Sequence, residues 1–341
     1  MNRRLLYSFA TAFGALAMLF SIAAWFWFQS LHQPLSLERD HVVQVERGAS
    51  LSRIASRLEA EGTLDNARAL VLWARLWGEE SIRAGEYRLT PGMSAVELLA
   101  LLNSGRSIQH PITLVEGWTV AQALDALWAS DVIENTLEGL DPEEILQRLE
   151  SPWPALEGTL FPDTYFVTRG TSDLVLLRRA SERMQSVLDT SWLARSVGLP
   201  YATPWEALVM ASIVERESGH APERPSVAGV FVRRLQQGMR LQSDPTVIYG
   251  IGDAYDGVIR RVDLDTHTAY NTYRISGLPP TPIAMPGRES IEAALQPAMD
   301  EPWLYFVSRG DGSHYFSETL QEHNHAVRYY IRGEGEPPDR S

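Results

Sequence analysis

The sequence predicts an α+β protein: an N-terminal transmembrane helix, then a small α/β module, then a larger mixed α+β domain. Three observations predict it. Residues 5–31 form one apolar stretch with no charged side chain. Residues 41–106 carry alternating strand and helix signals of modest length, and from residue 107 to 332 helices alternate with aromatic, turn-rich segments. Residues 1–4 read as a short cytoplasmic N-terminus and residues 333–341 (GEGEPPDRS) as a disordered tail.

The stretch LLYSFATAFGALAMLFSIAAWFWFQSL exceeds the roughly 20 apolar residues that a bilayer requires. Arg3 and Arg4 on its short side predict a cytoplasmic N-terminus, and Trp25 and Trp27 suit the far interface. A signal peptide cut near Ala15-Leu16-Ala17 is the alternative. The apolar run continues well past that point, whereas signal h-regions are shorter. A retained single-pass anchor in the cytoplasmic (inner) membrane, with the remainder extracytoplasmic, is therefore expected.

HVVQVERG alternates as a strand, and SLSRIASRLEAEG follows as a helix with Leu51, Ile54, Ala55 and Leu58 on one face. Residues 66–78 predict a second helix. AGEYRLTPGMS then gives a strand, a Pro-Gly turn and a Ser94/Glu97 capping box that opens a third helix. Past Ile108 the pattern reads strand, turn and helix, then short helices over 142–150 and a long one over 172–195. Residues 222–237 and 289–296 are expected to be helical, and 239–288 to be loops and short strands over the site. LYFVSRGDGSHYFS reads as a hairpin around Gly310-Asp311-Gly312, closed by a helix over 317–331.

TPWEALVMASIVERESG, residues 203–219, is the best-specified helix. Thr203 suits the N-cap, Pro204 the first position, Glu206 completes a capping box, and Gly219 is expected as a left-handed C′ residue. Its interior leaves almost no polar face, so it should be buried. Yet it ends in Glu215 and Glu217, where the helix dipole disfavours negative charge. At about 100° per residue the two acids point about 200° apart, with Glu217 on the stripe of Met210, Ile213 and Val214. A carboxyl against apolar side chains has a raised pKa, as a general acid near neutral pH requires. The plainer alternative pairs it with an arginine, Arg224 or Arg234.

Composition removes many chemistries. There is no cysteine, so disulfides and thiol nucleophiles are excluded, and all 30 basic residues are arginine, which excludes Schiff bases and the P-loop lysine. A formal charge of −13 argues against nucleic acid as partner. No G-x-S-x-G, GxGxxG or H-E-x-x-H pattern occurs. His314, His323 and His325 lie close in sequence, but histidines two apart on a helix do not share a face, so no metal or other cofactor is expected. Glycoside cleavage remains. It ordinarily takes two carboxylates. Asp244 is the candidate second acid and Asp163 an outside choice, although Asp244 before Pro245 equally fits a turn cap.

Val45, Gly48, Ser50, Leu51, Ile54 and Ala55 resemble the opening of a LysM repeat, which makes residues 41–106 a LysM-like module, either glycan-binding or, more plainly, a spacer. ASIVERES (211–218), RLQQGMRLQSDPTVIYG (234–250), AYNTYRISGLPPTPIAMPG (269–287) and LYFVSRGDGSHYFSETLQEHN (304–324) resemble, in order, the signatures of the YceG-like endolytic murein transglycosylases. The resemblance implies that residues 107–332 are a YceG-like catalytic domain and that Glu217, the second acid of the E-[KR]-E-[ST] motif, is catalytic. It implies a lyase that cuts nascent peptidoglycan between N-acetylmuramate and N-acetylglucosamine, leaves 1,6-anhydro-muramoyl ends and terminates strand elongation. Cell-wall synthases are the partners it suggests. Gln242, Asp244, Tyr270, Asn271 and Tyr273 are the candidates for holding glycan, or for bracing the loops around it. A non-catalytic, membrane-anchored glycan-binding scaffold and a hydrolytic muramidase are the rival readings.

Overall fold

The computed structural model describes residues 3–78 and 81–338. Met1 and Asn2 of the N-terminal segment, Glu79 and Glu80, and residues 339–341 of the tail lie outside the described residues. The described chain forms two compact units: residues up to His110 with Phe166–Gly170, and Pro111–Tyr165 with Thr171 onward.

The first unit opens with α1 (Arg3–His32). Then come β1 (His41–Val45), α2 (Leu51–Ala60), α3 (Ala67–Trp77), β2 (Gly85–Leu89) and α4 (Ala95–Ser104). β1 and β2 pair antiparallel, with Val43 opposite Tyr87. Each helix starts where the local chemistry places it. Ser50, Asn66 and Ser94 side chains accept the N–H three residues on, and Ser94 with Glu97 closes a full capping box. Gly78 and Gly105 end α3 and α4 in left-handed conformation. The expected apolar face of α2 forms: Leu51, Ile54, Ala55 and Leu58 are buried in one core with Leu70, Tyr87, Leu98 and Leu99. Leu31 and Leu35 belong to this same core, and Leu35 N–H donates to the Met93 carbonyl. The end of α1 is thus built into the module.

The chain continues with β3 (His110–Thr113), α5 (Val120–Trp128), β4 (Ile133–Glu134), α6 (Pro142–Arg148), β5 (Thr164–Val167) and β6 (Thr171–Ser172). There follow α7 (Asp173–Leu193), α8 (Pro204–Glu217), α9 (Arg224–Gln236), α10 (Asp244–Ile251), α11 (Arg261–Asp265) and α12 (Arg288–Leu295). β7 (Tyr305–Ser308), β8 (His314–Ser317) and α13 (Leu320–Arg332) come last. α8 is the centre of the second unit. Ala207 to Val214 are all buried, against Met184 and Leu188 of α7, Val227 and Phe231 of α9 and Ile291 and Leu295 of α12. At roughly 1.5–3 kcal/mol for each fully buried large apolar side chain, this helix anchors the unit. The polar side chain within that buried run is satisfied: Ser212 Oγ donates to Val209 O and accepts from Ile283 N.

Two expectations need correction. Residues 239–288 hold short helices, α10 and α11, and no named strand among the described residues. Their lengths are too short for a helical period to show. Gly219 is not left-handed; α8 ends at Ser218 in extended conformation, its N–H returning to Val214 O and its Oγ to His220 O. The hairpin is as expected, with Phe306 opposite Phe316 and Ser308 opposite His314. In the tail, Glu334 N–H bonds Arg328 O and the Glu336 carbonyl lies 3.0 Å from His325 Nε2.

Candidate active site

A cavity of about 910 Å³ opens beside the C-terminal end of α8. Glu217, Gly219 and His220 line it from that end, Asp244 from the start of α10, and the β7–β8 hairpin from Phe306 to His314 supplies the remaining wall. The volume is that of a small-molecule or oligosaccharide site.

Glu217 is only partly exposed, and what is exposed faces the cavity. Desolvation by the protein around its carboxyl dominates and pushes the pKa up to about 7. The Asp244 carboxylate raises it further, while the Ser243 hydroxyl and the Arg234 guanidinium pull it down. Neither candidate arginine forms an ion pair with it. Arg224 is taken by Glu215, 3.1 Å away, and by Glu289 at 3.0 Å. Arg234 donates to the carbonyls of Leu304 and Leu241. That arginine therefore fastens α9 both to the foot of the hairpin and to the chain leading into Ser243.

Ser243 was not legible as a site residue. Its backbone is held from both sides: its N–H donates to Thr272 Oγ1, and its carbonyl accepts from Thr246 Oγ1. Thr246 and Thr272 hydroxyls bond each other at 2.9 Å. The Ser243 Oγ is buried and makes no hydrogen bond of ordinary geometry among the described residues, so it keeps a spare donor next to Glu217. Gln242, just before it, is exposed with φ of 55°, a left-handed conformation that costs a non-glycine residue energy.

The other expected site residues divide. Asp244 is the first residue of α10 and makes no capping bond; its Oδ1 accepts from Tyr273 Oη at 2.7 Å. Both act on Glu217 or its surroundings, and Tyr273 holds its proton more tightly because of burial and the Asp244 charge. Asn271 is buried and spends its amide on the carbonyls of Asp263, Leu264 and Thr266. It braces the loop rather than reaching the cavity. Tyr270 hydrogen-bonds Thr281 and packs on Tyr249, and lines a second cavity of about 520 Å³ instead. That cavity also holds Glu157, a residue that no motif singled out. Burial pushes Glu157 to about 7, against hydrogen bonds from Val120 N–H, Tyr249 Oη and Gly158 N–H. Asp163 is engaged by Arg183 at 2.9 Å.

The three C-terminal histidines go to separate partners. His314 Nδ1 lies 2.8 Å from Glu223, whose carboxylate also receives the His314 N–H, tying the hairpin to the loop after α8. His323 stacks on Tyr305, and desolvation lowers its pKa. His325 meets the Glu336 carbonyl.

Comparison with known proteins finds relatives over most of the chain. Residues 43–329 match the sequence model of the YceG-like family. The chain is 31% identical over 328 residues to the endolytic murein transglycosylase of Bacillus subtilis, covering 90% of each chain. It is 26% identical to the endolytic murein transglycosylase of Streptococcus pneumoniae, covering 85% of this chain and 58% of that longer one. A crystal structure of a YceG-like protein from Listeria monocytogenes superposes with a TM-score of 0.53 at 28% identity, over 85% of this chain and 99% of that one. With a match over most of its length and a relative of this identity, the chain belongs to the YceG-like family.

Proposed function

We propose that this protein is a membrane-anchored lytic transglycosylase that cuts peptidoglycan strands internally at the bond between N-acetylmuramate and N-acetylglucosamine. The observation that carries the reading is Glu217, a carboxyl with a pKa near 7 on the wall of an open cavity, with no ion pair to a basic side chain among the described residues.

A carboxyl of that pKa is substantially protonated at neutral pH and donates its proton to the glycosidic oxygen as the C1–O bond breaks. Asp244, held by Tyr273, supplies negative charge near the developing oxocarbenium ion. The muramoyl C6 hydroxyl then attacks C1 of the same ring and gives its proton to the ionised Glu217. The products are a free hydroxyl on N-acetylglucosamine and a 1,6-anhydro ring, with no water consumed. An internal nucleophile needs no base to activate water, since proximity supplies the advantage. Ser243 Oγ stands ready to donate to Glu217 while it is ionised. Gln242 and the hairpin side chains at the cavity are the proposed glycan contacts. Tyr270 and Asn271 act through the loop.

The support for the anchor is α1. Within residues 11–32 an 18-residue window has a mean hydropathy of 1.7, and none of that window is buried. A cut near Ala17 would leave Phe20, Trp25, Phe26 and Phe28 exposed on a helix whose end is part of the first unit's core. A retained span with the N-terminus cytoplasmic explains both. The β1–α2–α3–β2 order and its antiparallel pairing are consistent with a LysM-like module, acting as a spacer or as a glycan-binding unit.

Digestion of purified glycan strands with the full chain, read by mass spectrometry, tests the reading. Fragments whose masses sum to that of the parent strand are expected. Fragments heavier by one water indicate a muramidase, and intact strands indicate a scaffold.

A further inference from the structure

We propose that the outer face of α3, carrying Leu72, Leu76 and Trp77, lies in the lipid headgroup layer beside the point where α1 leaves the bilayer, and so seats the first unit on the membrane. This rests on the membrane anchoring proposed above.

α3 is apolar on two sides. Ala67, Ala69, Leu70 and Ala74 face the core. Away from the core Leu72 and Leu76, about 40° apart around the helix, remain 50% and 62% exposed, and Trp77 at the helix end remains 56% exposed. What covers it is indicated by its neighbour. The Trp73 ring lies 5.7 Å from that of Trp27, 6.1 Å from Phe28 and 5.8 Å from His32, all on the last turns of α1. Trp77 stacks on Trp73 at 4.0 Å, so one continuous aromatic strip runs from the end of the apolar helix to the end of α3. Trp27 is part of the same packing, and its indole N–H has no hydrogen-bond partner among the described residues.

Tryptophan collects at membrane interfaces because its ring is apolar and its N–H is polar. α1 cannot swing away from α3, since Leu31 and Leu35 are locked in the module's core. Whatever depth Trp27 and Phe28 take in the bilayer, Trp73 and Trp77 are therefore held beside it. α3 also has the composition of an interfacial helix: Leu and Trp with Arg68 and Arg75, and no acid between Ala67 and Trp77.

The absence of cysteine allows a direct test, because a single introduced cysteine is the only labelling site. Full-length Phe20→Cys, Leu76→Cys and Ser56→Cys proteins would carry an environment-sensitive fluorophore and be placed in nanodiscs containing headgroup-proximal or deep lipid-borne quenchers. Phe20 lies within α1, and Ser56 on the exposed polar face of α2. The Leu76 label is expected to be quenched at least twofold more than the Ser56 label, and more by the shallow quencher than by the deep one. The Phe20 label should respond most to the deep quencher. Failure of Phe20 to respond removes the anchor itself. A responsive Phe20 with a Leu76 label that behaves like Ser56 overturns the proposal alone. A Leu76 label shielded from aqueous iodide yet untouched by lipid quenchers means that protein covers the face, and overturns it as well.

Discussion

Glu215 and Glu217 end the same helix, yet their carboxyls meet opposite environments. Glu215 is buried against Arg224 and receives the Gly287 N–H at 2.9 Å. Glu217 faces the cavity with Asp244 nearby and a pKa of about 7. The angular separation of two residues on an α-helix sends one acid into an ion pair and the other to the cavity.

Glu217→Gln is expected to abolish formation of anhydro-muramoyl ends, since the amide cannot donate the proton. It should also stabilise the protein. The folded pKa near 7 lies above the ordinary 4.5, so the unfolded chain ionises more readily. Stability from this group is full below about pH 4.5 and is lost as the pH rises to about 7. The variant should gain at most ~3 kcal/mol at pH 8 and nothing at pH 4. Denaturant titrations at both pH values check it; an equal gain at both would mean that the carboxyl is not desolvated.

Ser243→Ala and Asp244→Asn should move the pH profile in opposite directions. On the proposed mechanism, activity requires protonated Glu217 and declines as the pH rises through about 7. The Ser243 hydroxyl lowers that pKa, so its removal shifts the alkaline limb to higher pH; Asp244 raises it, so its neutralisation shifts the limb lower. The profile of kcat/KM on glycan strands reads both. A common direction would separate these residues from Glu217.

Glu215→Gln should act on stability rather than on the pH profile. It leaves Arg224 with Glu289 and the more distant Glu116, neither as buried as Glu215. Breaking a buried ion pair costs about 3 kcal/mol. Thermal unfolding should fall accordingly while the alkaline limb stays near pH 7. Complete loss of activity in a fully stable Glu215→Gln protein would transfer the catalytic role to Glu215.

What was legible in the sequence is what local chemistry decides. The capping box of Thr203 and Glu206 forms as expected, and the helical angle between Glu215 and Glu217 matches their different surroundings, an arginine for one and the cavity for the other. The β7–β8 hairpin followed from its glycine turn. The end of α8 departs from the expected left-handed Gly219 because Ser218 answers to His220, not to a helix-capping rule. Tyr270, Asn271 and Tyr273 are adjacent in sequence, but in irregular chain neighbouring side chains diverge, and of the three Tyr273 reaches Asp244. Ser243 was invisible because its position is set by Thr272, far along the chain.

Gln242 separates two explanations of that same segment. Its left-handed backbone aims Ser243 inward, and its exposed side chain is a proposed glycan contact. Glycine adopts this conformation freely, so Gln242→Gly keeps the geometry. It should raise stability by up to about 1 kcal/mol, part of the gain being offset by the more flexible unfolded chain. If the amide holds glycan, kcat/KM falls about tenfold, the equivalent of one lost hydrogen bond of roughly 1.4 kcal/mol. Gln242→Asn, which tolerates the same backbone and retains a shorter amide, should fall in between. Full activity in a stable Gln242→Gly protein would mean that the strain at this position serves only to place Ser243, and that the glycan is held by the hairpin wall alone.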